Sequence, residues 1–103
     1  MRSQISGVVI KEITTIPDDR GMVVKFPHPS FDVKDVYCTT VRHDAIKAFH
    51  GYDTKSIFWS CIHGIVKFVL IDSRDGSDTY GVVDEFYLGE SCMYSVEVPP
   101  GVF

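Results

Sequence analysis

The sequence predicts an all-β sandwich or barrel, and three observations carry that expectation. Helical periodicity is scarce along its 103 residues. Short segments rich in Val, Ile, Phe and Tyr recur, each broken by Gly, Pro or Asp, as in antiparallel sheets. The last apolar segment alternates cleanly, with Met93, Ser95 and Glu97 on one face and Tyr94, Val96 and Val98 on the other.

Each element follows from this pattern. Residues 7–13 read as a first strand. Pro17-Asp18-Asp19-Arg20-Gly21 reads as a turn, because Pro presets its own φ and Gly accepts turn geometry. Residues 22–26 form a second strand, and 27–31 a loop with two prolines. Residues 35–42 and 45–50 read as third and fourth strands around a turn at His43-Asp44, followed by a polar connection over 51–54. Residues 56–62 and 65–72 are the most apolar part of the chain. They read as a hairpin joined at His63-Gly64, apolar on both faces and so placed between two sheets. A polar turn over 73–77 leads to strands over 82–88 and 93–98. After Pro99-Pro100-Gly101, Val102-Phe103 begins what reads as a further strand. Either the sequence continues beyond it or a partner chain covers the open edge.

Composition narrows the class. Hydrophobic residues make up 45% and aromatics 13% of the chain, which excludes global disorder and suits one domain over residues 1–103. A core of this size is marginal, and a second subunit would help it. The net charge of -4, from 10 basic and 14 acidic residues without a basic block, disfavours nucleic acid and anionic membranes as partners. No apolar run approaches the roughly 20 residues of a membrane-spanning helix, and the start lacks the apolar stretch of a signal peptide. Cys38, Cys61 and Cys92 are odd in number and widely spaced, as expected of reduced thiols in a cytoplasmic protein.

Five short motifs occur in order along the chain: Asp19-Arg20-Gly21; Lys47-Ala48-Phe49-His50; the apolar run from His63-Gly64 to Asp72; Asp72-Ser73-Arg74-Asp75-Gly76-Ser77-Asp78-Thr79; and Val98-Pro99-Pro100-Gly101. Together they resemble the dTDP-4-dehydrorhamnose 3,5-epimerases and their epimerase-like relatives. Asp78 stands where that family has proline. The resemblance implies a cupin-type barrel (double-stranded β-helix, or jelly roll) apparently missing its C-terminal strands. It also implies a homodimer, since the family exchanges strands.

The same resemblance implies a chemistry. The histidine matching His50 removes a proton next to the ketone of a nucleotide-linked 4-keto-6-deoxy sugar, a task suited to imidazole near neutral pH. The alternative is a strand-end histidine that is only hydrogen-bonded. Arg20 matches an arginine that grips the diphosphate, for which a planar guanidinium is suited; the alternative is a solvated turn charge. Lys47 stands where the family has arginine, and on a regular strand it would face away from His50 unless a bulge intervened. Lys55 is the candidate for a lysine that steadies the sugar oxyanion. Counting back from Gly64, however, that position falls nearer Ile57, which favours a surface charge. The family's second histidine would follow Phe103, and its proton-donating tyrosine and base-orienting aspartate lie further on.

The expected function is therefore a cofactor-independent epimerase or isomerase of a dTDP-type nucleotide sugar in cell-surface polysaccharide or deoxysugar biosynthesis. One alternative is a non-catalytic sugar-nucleotide-binding or assembly cupin. Another is a metal-dependent cupin, against which His50-Gly51-Tyr52 lacks the second ligand of a His-x-His pair and His28, His43 and His63 are scattered. No metal site is expected.

Overall fold

In the computed structural model, which describes residues 1–103, seven strands occur and no helix. Strand β1 (Val9–Glu12) and β4 (Ile57–Ser60) both pair antiparallel with β7 (Tyr94–Val98), which therefore lies in the middle of a three-stranded sheet. The register aligns Ile10, Val96 and Trp59 across this sheet on one face. Strands β5 (Ile65–Ile71) and β6 (Val83–Gly89) form a second sheet, with Phe68 opposite Phe86. Strands β2 (Thr14–Asp18) and β3 (Gly21–Lys25) form a hairpin of their own.

The core lies between the first two sheets. Ile5, Leu70, Leu88, Val96, Val98 and Val102 are fully buried there. The alternation of β7 explains its share: Tyr94, Val96 and Val98 face the second sheet, and Val96 is 0% exposed because strands flank it on both sides. Trp59 meets Phe68 edge to face at 5.8 Å, and Phe68 packs on Phe86 at 5.6 Å, which carries the aromatic contact across the layers. Burying each aliphatic side chain is worth about 1.5–3 kcal/mol. Six such residues make a small core, so polar ties between segments matter more here than in a larger protein.

Four expectations are corrected. Residues 56–62 and 65–72 do not form a hairpin: β4 joins the first sheet, β5 joins the second, and the chain crosses between layers at His63-Gly64. Strong apolarity on both strands reflects this position facing each other across the core, not mutual pairing. The turn at 17–21 is shorter than expected, since Pro17 and Asp18 belong to β2 and only Asp19-Arg20 joins it to β3. The first expected strand, over 7–13, ends at Glu12, and buried Ile13 separates it from β2.

The remaining correction concerns residues 35–42 and 45–50, which are not strands. Their turn at His43-Asp44 does form, closed by Ala45 N–H donating to the Arg42 carbonyl, with Asp44 at φ +61°. The flanking backbones, however, find no ladder partner within the chain. Strand propensity becomes a strand only when a neighbour accepts its hydrogen bonds. Val36 and Ile46 consequently stand 84% and 90% exposed.

Candidate functional site

Two of the motifs fold onto one another. Asp72 directly follows β5, is 1% exposed, and is surrounded by donors. Its Oδ1 accepts from Arg74 N at 3.1 Å and Arg74 Nε at 2.9 Å. Its Oδ2 accepts from Arg74 Nη2 at 2.9 Å, Ser77 Oγ at 2.7 Å and Thr79 Oγ1 at 2.6 Å. Led by the Arg74 guanidinium, these donors hold the Asp72 carboxyl far below the usual carboxylate range despite its burial. The Arg74 guanidinium is raised in turn, chiefly by the same hydrogen bond to Asp72.

Arg74 also donates to the Ser6 carbonyl, and Ser6 N–H donates to Thr79 Oγ1. Gly101, at φ +84°, lies against the Arg74 stem, where a methyl group would come within 2.5 Å of Cγ. The Ser73 amide bonds the Gly101 carbonyl, and Val102 bridges to Asp72. The Asp-x-Arg-x-x-Ser-x-Thr motif is thus a knot joining the N-terminal arm, β5 and the Pro-Pro-Gly stretch.

His50 sits on a corner anchored to that same stretch. Gly101 N–H donates to the Tyr52 carbonyl at 2.9 Å, and Gly51 packs against the Phe103 ring. Phe103 itself exchanges two backbone hydrogen bonds with Ile71, of 2.9 and 2.7 Å. His50 is exposed, and its imidazole makes no hydrogen bond or ion pair within the chain. Because the segment is irregular, the strand alternation that set Lys47 and His50 on opposite faces does not apply.

The three cations occupy separate settings. Arg20 lies in the β2–β3 loop, 91% exposed, with Nη2 at 3.1 Å from Asp18 Oδ2. Backbone and side-chain donation from Arg20 lowers the Asp18 pKa. Lys47 Nζ donates to Thr39 Oγ1 at 2.9 Å. Lys55 Nζ stands 5.2 Å from the centre of the Tyr52 ring, a cation–π contact. Tyr52 in turn pushes the Tyr37 pKa up, chiefly by charge. The pairing of Tyr37 with Tyr52 was not legible in the sequence, because it depends on the path of an irregular segment.

One surface concavity, of about 300 Å³, is lined in part by Glu12, Met22, Glu90, Cys92 and Tyr94 and includes none of the four candidates. An adjoining one of about 240 Å³ shares Met22 and includes Arg20 with Asp18. No three His, Cys, Asp or Glu side chains converge in a way that could hold a metal ion. All three cysteines are free thiols. No helix is long and apolar enough to cross a membrane.

Comparison with known proteins agrees with this geometry. The chain is 28% identical over 102 residues to the spore coat polysaccharide biosynthesis protein SpsL of Bacillus subtilis (strain 168), covering 95% of this chain and 68% of that protein. A crystal structure of a dTDP sugar isomerase from Desulfovibrio desulfuricans G20 superposes with a TM-score of 0.91 at 23% identity, over 99% of this chain and 68% of the other, which establishes the cupin-type fold. The dTDP-4-dehydrorhamnose 3,5-epimerase family matches residues 2–103. With the motifs in order along the sequence and the family matching nearly all of it, the chain belongs to the dTDP-4-dehydrorhamnose 3,5-epimerase family.

Proposed function

We propose that this protein is a cofactor-independent epimerase or isomerase of a dTDP-type nucleotide-linked 4-keto-6-deoxy sugar, working in cell-surface polysaccharide or deoxysugar biosynthesis. The observation that carries the proposal is the family match over residues 2–103, supported by a relative named for polysaccharide biosynthesis. His50 is the base. Its imidazole takes the proton from C3 or C5, the bonding pair moves onto the ketone oxygen as an enolate, and reprotonation from the opposite face regenerates the ketone. The step is redox-neutral, so it needs no electron acceptor. Arg20 binds the diphosphate, and its loop position leaves the guanidinium fork accessible. Lys47 adds charge to the phosphate. Lys55, whose ammonium stands over the Tyr52 ring, steadies the sugar oxyanion.

The test is incubation with a dTDP-4-keto-6-deoxyhexose in heavy water, followed by proton NMR. Loss of the signal at C3 or C5 supports the assignment; intact signals at both carbons after long incubation contradict it. A second reading, binding of a sugar nucleotide without turnover, fits the exposed setting of His50. Calorimetric binding without exchange would favour it.

We further propose a cytoplasmic homodimer. The β2–β3 hairpin leaves Ile16, Met22 and Val23 each more than half exposed, and apolar surface of this kind suits a subunit interface. A monomer by light scattering would contradict the dimer.

A further inference from the structure

Gly51 is a glycine without a backbone reason. It is absent from the positive-φ glycines, which are Gly7, Gly21, Gly64, Gly76, Gly81, Gly89 and Gly101. Any residue could adopt its conformation. What excludes a side chain is the Phe103 ring. A methyl group on Gly51 would lie 2.7 Å from Cε1 and 2.9 Å from Cγ of that ring, and closer still to Cδ1. Real carbon contacts sit near 3.5–4.0 Å.

The backbone that carries the ring is held in place. Phe103 is fixed on β5 by two hydrogen bonds to Ile71. Val102 before it is 1% exposed in the core, and Gly101 is wedged against Arg74 and bonded to the Tyr52 carbonyl. The whole segment 101–103 is therefore part of the rigid body of the protein. Residues 35–50, by contrast, are exposed and have no ladder partner. His50 lies at the junction, one residue before the contact. The geometry makes Phe103 a flat stop against which the chain seats, and bare Gly51 the only residue type that seats fully.

We propose that Gly51 and Phe103 are positioning residues, the packing of the Phe103 ring on the Gly51 backbone fixing where His50 presents its imidazole. This rests on His50 being the base. Displacing a catalytic group by about 1 Å lowers turnover roughly 10²-fold. A displaced base affects turnover while leaving ground-state binding through Arg20 in place.

The experiment is a double-mutant cycle on the full chain with Gly51→Ala, Phe103→Ala and both together. Two readouts are taken: NMR signals of the His50 imidazole and the Tyr52 amide, and kcat and KM for sugar proton exchange. Gly51→Ala alone should move both NMR signals and lower kcat about 10²-fold, with KM within about threefold. In the Phe103→Ala background the ring is gone, and adding Gly51→Ala should move neither signal and change kcat less than threefold. If Gly51→Ala unfolds the protein, the double variant should restore folding. Equal effects of Gly51→Ala in both backgrounds, silence in both, or no rescue of folding would each overturn the inference. The dependence on His50 is separable. Exchange that survives His50→Ala removes the catalytic assignment, while the NMR cycle still decides the seating.

Discussion

Replacing Asp72 by Asn should destabilise this protein more than any change at its exposed candidates. The substitution preserves shape but exchanges one carboxylate oxygen for an amide nitrogen. If the amide oxygen keeps the Oδ1 position, it still accepts from Arg74 N and Nε. The nitrogen then faces Arg74 Nη2 at 2.9 Å, donor against donor. Ser77 and Thr79 hydroxyls can rotate to accept, Thr79 Oγ1 with the lone pair left free by the Ser6 amide, so the unrelieved conflict is with Arg74. Removing one partner of a buried ion pair costs about 3–5 kcal/mol. The Arg74 side chain retains 27% exposure, so the lower end, about 3 kcal/mol, applies. For a domain of this size that corresponds to a fall in Tm of roughly 12–24 °C. Thermal and urea unfolding followed by circular dichroism measure it, with an unchanged urea slope confirming a stability effect.

The same pair fixes a pH dependence. The folded Asp72 pKa is depressed below its ordinary 3.8. Its contribution is therefore fully present above about pH 4 and is lost progressively as pH falls further. The gap between wild type and Asp72→Asn should be constant from pH 5 to 8 and narrow below pH 4. A Tm loss under about 4 °C at pH 7, or a gap that stays constant into acid, would show that the knot carries little.

Other outcomes follow from the same structure. Leu88→Ala, at 1% exposure in the core, should cost about 2–5 kcal/mol by denaturant titration. Arg20→Ala should leave Tm unchanged, because exposed ion pairs contribute about 0–1 kcal/mol. The same change should raise KM roughly 10- to 100-fold in a substrate titration, as loss of a charged hydrogen bond to phosphate would. Lys47→Ala should affect KM less than Arg20→Ala, since an ammonium lacks the bidentate fork; equal effects would argue against that difference.

The fold was legible where local pattern and pairing agree. The alternation over residues 93–98 located the central strand, and the Val82-to-Leu88 segment matched β6 within a residue. Pairing partners were not legible. The apolar runs around Trp59 and Phe68 looked like one hairpin because sequence neighbours often pair, yet a glycine crossing sends them to opposite layers. Residues 35–50 had strand composition and no partner to realise it. At the site, the candidate residues were nameable but their settings were not. The donors around Asp72 sit at spacings that suit a single buried carboxylate, so the Asp-x-Arg-x-x-Ser-x-Thr pattern could have been read as a structural knot. The contact of Gly51 with Phe103 spans half of the chain and leaves no local signal.

The most direct measurement compares wild type and His50→Ala for deuterium incorporation into a dTDP-4-keto-6-deoxyhexose in heavy water. His50 is exposed and unbonded, so the substitution should leave Tm essentially unchanged. Wild type should exchange the proton at C3 or C5, and His50→Ala should show none above the uncatalysed rate. Exchange by His50→Ala at the wild-type rate would contradict the assignment of His50 as the base.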